Sequence, residues 1–148
     1  MSDGNKMVGI QFPPFSLTVE RGKIKEFAKA IGDENPIYYD PVEAQRQGYR
    51  DVITPPTFGT VIDLWGGCDF HKMCSLLNIN PVMVLHGEQE YEYFGEINPG
   101  DEIVGTTSLA SYHKKKNMNL FILVTNYVNQ NGDLVLKCRK TIIERKAG

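Results

Sequence analysis

Pro55-Pro56-Thr57-Phe58-Gly59-Thr60-Val61-Ile62-Asp63-Leu64-Trp65-Gly66-Gly67 is the stretch on which the fold turns. The two prolines open a segment, residues 57–65, in which Phe58, Val61, Ile62, Leu64 and Trp65 cover much of a helical circumference, and the two glycines close it. A helix that is apolar nearly all round is expected to be buried. Everything after Pro81 reads as strand. Residues 82–94 form one run, and 98–101 are a Pro-Gly turn. Residues 102–112 carry the alternating Ile103, Thr107 and Leu109, and residues 117–129 alternate Met118, Leu120, Ile122 and Val124 with polar and mixed neighbours. Gln130-Asn131-Gly132-Asp133 is a strong hairpin signal before a last strand at 134–143, and residues 15–19 add a further strand. Helices first and an antiparallel meander afterwards make the class α+β, with the sheet curled around the buried helix. Such a sheet keeps open edges, so pairing with another chain through an edge is expected.

Two short amphipathic helices are predicted ahead of the buried one. Residues 21–31 set Ile24, Phe27, Ala28 and Ile31 at helical spacing, with Gly32 as the stop. Residues 40–48 start on an Asp cap, carry Pro41 in the first turn and end on Gly48. Residues 71–77 contribute another turn or two. No repeat, linker or low-complexity tract interrupts the chain, so residues 1–148 are expected to form a single domain.

With 148 residues, 41% apolar and 23% charged, the composition is that of one ordinary soluble domain. Sixteen basic against eighteen acidic residues argue against nucleic acid as the partner. The longest apolar run, residues 120–124, is far short of the roughly 20 residues a membrane helix needs, so no membrane span is expected. The first residues, Asp3 and Lys6 among them, hold no sustained apolar stretch and no secretory leader is expected. Three cysteines, an odd number in a chain of this size, suit a reducing compartment, which makes the expected location cytoplasmic. Charge is unevenly spread. From Ser111 onward eight basic residues meet two acidic ones, leaving that part net +6 and the remainder net −8. The plain reading is solvent-facing strand charge; the sharper one is a phosphate-rich or acidic partner.

Gly32-Asp33-Glu34-Asn35-Pro36-Ile37-Tyr38-Tyr39-Asp40 follows the first amphipathic helix. A carboxylate held between a glycine turn and a proline that fixes the chain can be aimed at a crevice; the same residues also make an ordinary Asx turn. Gly32, Asp33, Asn35, Pro36, Ile37, Asp40 and Ala44 resemble the hydratase motif of the MaoC-like family, the (R)-specific enoyl-CoA hydratases and (3R)-hydroxyacyl dehydratases. Val19-Glu20-Arg21-Gly22-Lys23-Ile24, Gly48-Tyr49, Pro55-Pro56-Thr57-Phe58, His86-Gly87-Glu88-Gln89 and Pro99-Gly100-Asp101 are similar to the amino-terminal, FAS1-like dehydratase half of that family. The resemblance covers most of the chain and implies a hot-dog fold.

It further implies a hydratase or dehydratase, or a subunit of one, acting on (3R)-hydroxyacyl and trans-2-enoyl thioesters of CoA or acyl carrier protein, with no cofactor and no metal. Carried over by motif, the catalytic positions are Asp33, Asn35 and Tyr38, and the substrate-binding positions are Pro56, Thr57, Phe58, His86 and Gln89. In the family an Asp and a His act through one water, and backbone N–H groups at the start of the central helix stabilise the enolate-like oxygen. This chain departs twice. Tyr38 stands at the motif histidine, and a phenol with an ordinary pKa of about 10 is a poor proton shuttle at neutral pH. Pro56, which has no N–H, stands where active members place glycine, leaving the Thr57 or Phe58 backbone as the substitute. The alternative is therefore a non-catalytic thioester-binding half that needs a sister hot-dog chain carrying the histidine; the pairing itself is expected to be a homodimer or a heterodimer with such a sister subunit. A hot-dog thioesterase is a more distant third possibility.

The remaining candidates are weaker. His86 is an isolated strand histidine, a type that usually serves structure, and His113 adjoins a lysine run. Cys68, His71 and Cys74 invite a zinc reading but lack a fourth ligand and a Cys-x-x-Cys pair. Tyr91, Tyr93 and Phe94 are candidates for lining an acyl tunnel, although alternating strand aromatics more often belong to a core or an interface.

Overall fold

A computed structural model describes residues 4–146; residues 1–3, Asp3 included, and 147–148 lie outside the described residues. In chain order the elements are α1 (Gly4–Met7), β1 (Phe15–Thr18), α2 (Arg21–Ala30), α3 (Pro41–Arg46), α4 (Gly59–Gly66), α5 (Phe70–Leu77), β2 (Val84–Tyr93), β3 (Glu102–Lys115), β4 (Met118–Val128) and β5 (Leu134–Arg145). Pro36–Tyr38 and Pro81–Met83 form 3-10 turns. No helix among the described residues is long and apolar enough to cross a membrane.

The five strands curl about α4, and every one of them touches it. Phe15 of β1 lies against Gly66, where a Cβ would come within 2.8 Å of its ring. Tyr91 of β2 and Leu136 of β5 close on Gly59 in the same way, Tyr127 of β4 bonds Asp63, and β3 packs alongside. Phe58, Val61 and Ile62 are buried in this cradle, each contributing on the order of 1.5–3 kcal/mol by leaving water.

The helix is nevertheless not buried all round. Leu64 and Trp65 stay 52% and 69% exposed, while Asp63, a carboxylate, is only 5% exposed. A half-barrel covers one side of a helix and leaves the other open. Trp65 is partly shielded by the Lys23 ammonium, 4.7 Å above its ring.

The strands do not follow a simple meander either. Their order is β1-β3-β4-β5-β2, all neighbours antiparallel, so β2 pairs with β5 and β3 with β1. Residues 94–101 carry the chain across from β2 at one edge to β3, the neighbour of β1 at the other, and the Pro-Gly turn docks on β1's exit. Gly100 N–H donates to the Val19 carbonyl at 2.7 Å and Val19 N–H to the Asp101 carbonyl at 2.8 Å. A bulge between His86 and Glu88 breaks the β2–β5 register.

Solvent-facing charge holds for Lys114, Lys115, Lys116, Lys137, Arg139 and Arg145, all exposed, but not for Lys140. Leu136, Cys138, Lys140 and Ile142 alternate onto one face of β5, the face turned to α4. Lys140 Nζ donates to Asp63 Oδ2 at 2.9 Å and Tyr127 Oη to Asp63 Oδ1 at 2.6 Å. Burial pulls the Lys140 pKa down, yet the adjoining carboxylate outweighs it and the net shift is upward.

Lys140→Met leaves a buried carboxylate without its counter-charge and is expected to lower stability by about 3–5 kcal/mol. Adding Asp63→Asn, which keeps an acceptor for Tyr127, is expected to recover most of that loss in urea denaturation. Full stability of the single variant would show that the pair does not anchor the helix.

Candidate functional site

The motif segment is a succession of local caps. Gly32, at φ +73°, ends α2 in the left-handed region, and Asp33 N–H donates back to the Ala28 carbonyl at 2.9 Å. Asp33 Oδ1 accepts from Asn35 N–H at 3.0 Å, Asn35 Oδ1 from Ile37 N–H at 3.2 Å, and Asp40 Oδ1 from Val42 N–H at 2.9 Å. Tyr39 Oη donates to the Asp33 carbonyl. The Asx-turn reading thus describes one oxygen of Asp33 and the Asn35 carbonyl oxygen. Asp33 Oδ2 has no hydrogen-bond partner among the described residues.

These caps thrust Ile37 and Tyr38 inward. Tyr38 is 6% exposed and lines a cavity of about 330 Å³ with Tyr49, Thr54, Pro56, Tyr93 and Ile97. Burial raises its pKa above the ordinary phenol value, and the Asp33 and Tyr49 charges raise it further. Tyr93 Oη lies beside Thr54 and donates to the Pro56 carbonyl at 2.8 Å, with the Pro55 carbonyl farther off at 3.3 Å. The buried Thr54 Oγ1 is left without a partner in hydrogen-bonding geometry.

The start of α4 stands at this cavity through Pro56. Thr57 is exposed, and its N–H has no acceptor among the described residues. Phe58 offers less, because its N–H donates to the Pro55 carbonyl at 3.0 Å and its ring packs edge-on against Phe27 in the core.

His86 and Gln89 belong to a different cavity, of about 340 Å³, with Thr60, Asp63, Leu64, Cys68, Met73, Lys140 and Ile142 on its walls. The predicted residues therefore divide: Tyr38 and Pro56 share one cavity, His86 and Gln89 the other, and Asp33 and Asn35 flank Tyr38 without lining either. The Asp63–Lys140–Tyr127 group escaped the sequence reading; Gln89 and Tyr91 were singled out by it, but not their bonding to each other and to Thr60. A lone carboxylate inside an apolar helix, and a lysine in register with Leu136, Cys138 and Ile142, were the signals available.

The lysine run stands elsewhere. Lys114 and Lys115 pair with Asn119 and Met118, beside Arg145, whereas Tyr93 pairs with Leu136 at the opposite end of β5. Nine residues of strand, roughly 30 Å at 3.3 Å per residue, separate the basic tip from the Tyr38 cavity. Among the described residues no group of three or more His, Cys, Asp or Glu side chains is placed to hold a metal. Burial raises the Cys68 and Cys74 thiols above their ordinary pKa, which opposes the thiolate form a zinc site requires.

Residues 6–138 match the family described as the FAS1-like, dehydratase domain region. A UPF0336 protein of Streptomyces avermitilis is 37% identical over 112 residues, 75% of this chain and 74% of its own. Among solved structures a MaoC-like dehydratase superposes with a TM-score of 0.87 at 23% identity, over 97% of this chain and 44% of that one. A subunit of the HadBC (3R-hydroxyacyl-ACP dehydratase) complex of Mycobacterium tuberculosis superposes with a TM-score of 0.79 at 20% identity, over 93% and 96%. The curled sheet around α4 is the hot-dog fold.

A raised folded-state pKa at Tyr38 means that the protonated phenol stabilises the fold, an effect complete below the unfolded value of about 10 and lost as pH rises through the folded value. Tyr38→Phe is expected to lose less stability than the parent between about pH 9 and pH 11 in urea denaturation. Identical pH profiles would place the phenol in water.

Proposed function

The chain belongs to the FAS1-like dehydratase region family, together with the UPF0336 proteins, and we propose that it is a thioester-binding subunit of a hydratase or dehydratase whose imidazole comes from a sister hot-dog chain. The observation that carries this reading is the state of position 38. The side chain at the motif histidine is a buried phenol with a raised pKa, and His86 lines the other cavity. Adding water across an enoyl thioester needs a base for the water and an acid for the α-carbon, both active near neutral pH. Asp33 Oδ2 is free to act as one of them, but the motif position beside it holds a phenol whose pKa is raised, not an imidazole.

What the chain supplies is binding. The Tyr38 cavity takes the acyl portion of a trans-2-enoyl or (3R)-hydroxyacyl thioester of CoA or acyl carrier protein. The free Thr57 N–H, at the start of α4, is the donor for the thioester oxygen in place of the one Pro56 lacks. The open β1 and β2 edges leave room for a second chain. A pairing of sister subunits is named for the HadBC complex; a second copy of this chain would bring another Tyr38 and no motif histidine, so the partner is a different hot-dog chain. A chain active by itself is the competing reading, favoured by the unpaired Asp33 Oδ2.

Crotonyl-CoA distinguishes the two. The purified chain is expected to bind it without hydrating it, and Tyr38→His to raise hydration about 10²-fold or more, a typical worth of a positioned acid or base. A further Asp33→Asn change should remove the gain. Hydration by the unaltered chain that Tyr38→Phe abolishes would overturn the reading and make the phenol catalytic.

A further inference from the structure

The start of α4 lacks one donor and holds the next under restraint. Pro56 has no N–H, and the Phe58 N–H is taken by the Pro55 carbonyl at 3.0 Å. The first free N–H is therefore that of the peptide joining Pro56 to Thr57. This peptide is gripped from its other side, where Tyr93 Oη donates to the Pro56 carbonyl at 2.8 Å. The Pro55 carbonyl stands farther off at 3.3 Å and already accepts from Phe58, which leaves the single phenol proton to Pro56. Burial pushes the Tyr93 phenol up to about 12, so that proton stays in place near neutral pH. The described peptides are trans, and a planar trans peptide points its C=O and N–H in opposite directions. Fixing the carbonyl toward Tyr93 thus fixes the N–H away from it, on the side where Thr57 is exposed. A peptide whose carbonyl accepts a hydrogen bond is also the stronger donor, because linked hydrogen bonds polarise one another. The cavity that Tyr93 and Pro56 line holds one unmet group as well, the buried Thr54 Oγ1, which a bound polar ligand would satisfy.

We propose that Tyr93 is a positioning residue for the thioester: its hydroxyl acts through the Pro56–Thr57 peptide to aim and strengthen the Thr57 N–H as donor to the thioester oxygen. The inference rests on the thioester reading above and concerns only how that oxygen is held. Tyr93 stands on the carbonyl side of the peptide and does not itself meet the oxygen. Its role belongs to the hydroxyl and not to the ring, which separates it from packing. Without the hydroxyl, the Pro56 carbonyl turns to water and carries the N–H with it, and a donor that must reorient stabilises developing charge less than one already in place.

Infrared difference spectra of the full chain with crotonyl-CoA, isotope-labelled at the thioester carbonyl, test this, because a weaker donor raises the carbonyl stretching frequency. The band should lie higher in Tyr93→Phe than in the unaltered chain, with crotonyl-CoA bound about two- to tenfold more weakly, the worth of one hydrogen bond. S-crotyl-CoA, the thioether without the carbonyl oxygen, should bind the two proteins with affinities within about twofold. Thr57→Pro deletes the N–H at a helix start, where proline is tolerated. It should raise the band, and adding Tyr93→Phe should then change nothing more. A band that Thr57→Pro moves and Tyr93→Phe does not, or an equal loss of thioester and thioether affinity in Tyr93→Phe, would overturn the positioning role and leave the thioester reading intact. A band unmoved by Thr57→Pro would overturn the role together with the choice of donor. Absence of crotonyl-CoA binding to the unaltered chain would overturn the thioester reading as well.

Discussion

Asp63 is the constraint from which the rest of the molecule takes its position. A helix held only by apolar contacts can slide or rotate in its cradle at small cost, because hydrophobic burial is not directional. A carboxylate with one oxygen bonded to Tyr127 of β4 and the other to Lys140 of β5 admits a single depth and rotation for α4. That registration puts Gly59 under the Tyr91 ring, Pro56 under the Tyr93 hydroxyl and the free Thr57 N–H at the mouth of the helix. It also explains an apolar helix with exposed Leu64 and Trp65: the polar anchor, not the number of apolar residues, selects the face that turns inward.

Glycine at position 59 and tyrosine at position 91 are a matched pair in this geometry. The ring sits where a side chain on the helix would otherwise stand, so the space between them is filled from the strand instead of the helix. The Tyr91 hydroxyl is held by Thr60 and Gln89 on either side.

Much of the architecture was legible because period and punctuation agree. The spacing of Ile24, Phe27 and Ala28, the Asp40-Pro41 start and the Asn131-Gly132 turn each point to the element found there. Pairing order was not legible: residues 94–101 read as an ordinary turn, and only the bonds of Val19 and Gly100 show that they cross the sheet. The candidate site was half legible. Residues 32–40 mark the turn and motif resemblance identifies it, but spacing along the chain cannot reveal that Tyr38 and His86 face separate cavities. Nor can it show that a lysine in a basic tail is drawn inward by a carboxylate in a distant helix.

The strand order also sets how the chain must be assembled in time. Phe15 finds its partner in Gly105, about 90 positions later, whereas β3, β4 and β5 are joined by short turns. Closing a long loop costs entropy before its contacts repay it, and folds rich in such contacts form slowly. The β3-β4-β5 hairpins therefore have the local advantage, and β1 can dock only after β3 exists. During that interval the β3 edge stands unpaired, an exposed template for misassociation that a partner arriving early would protect.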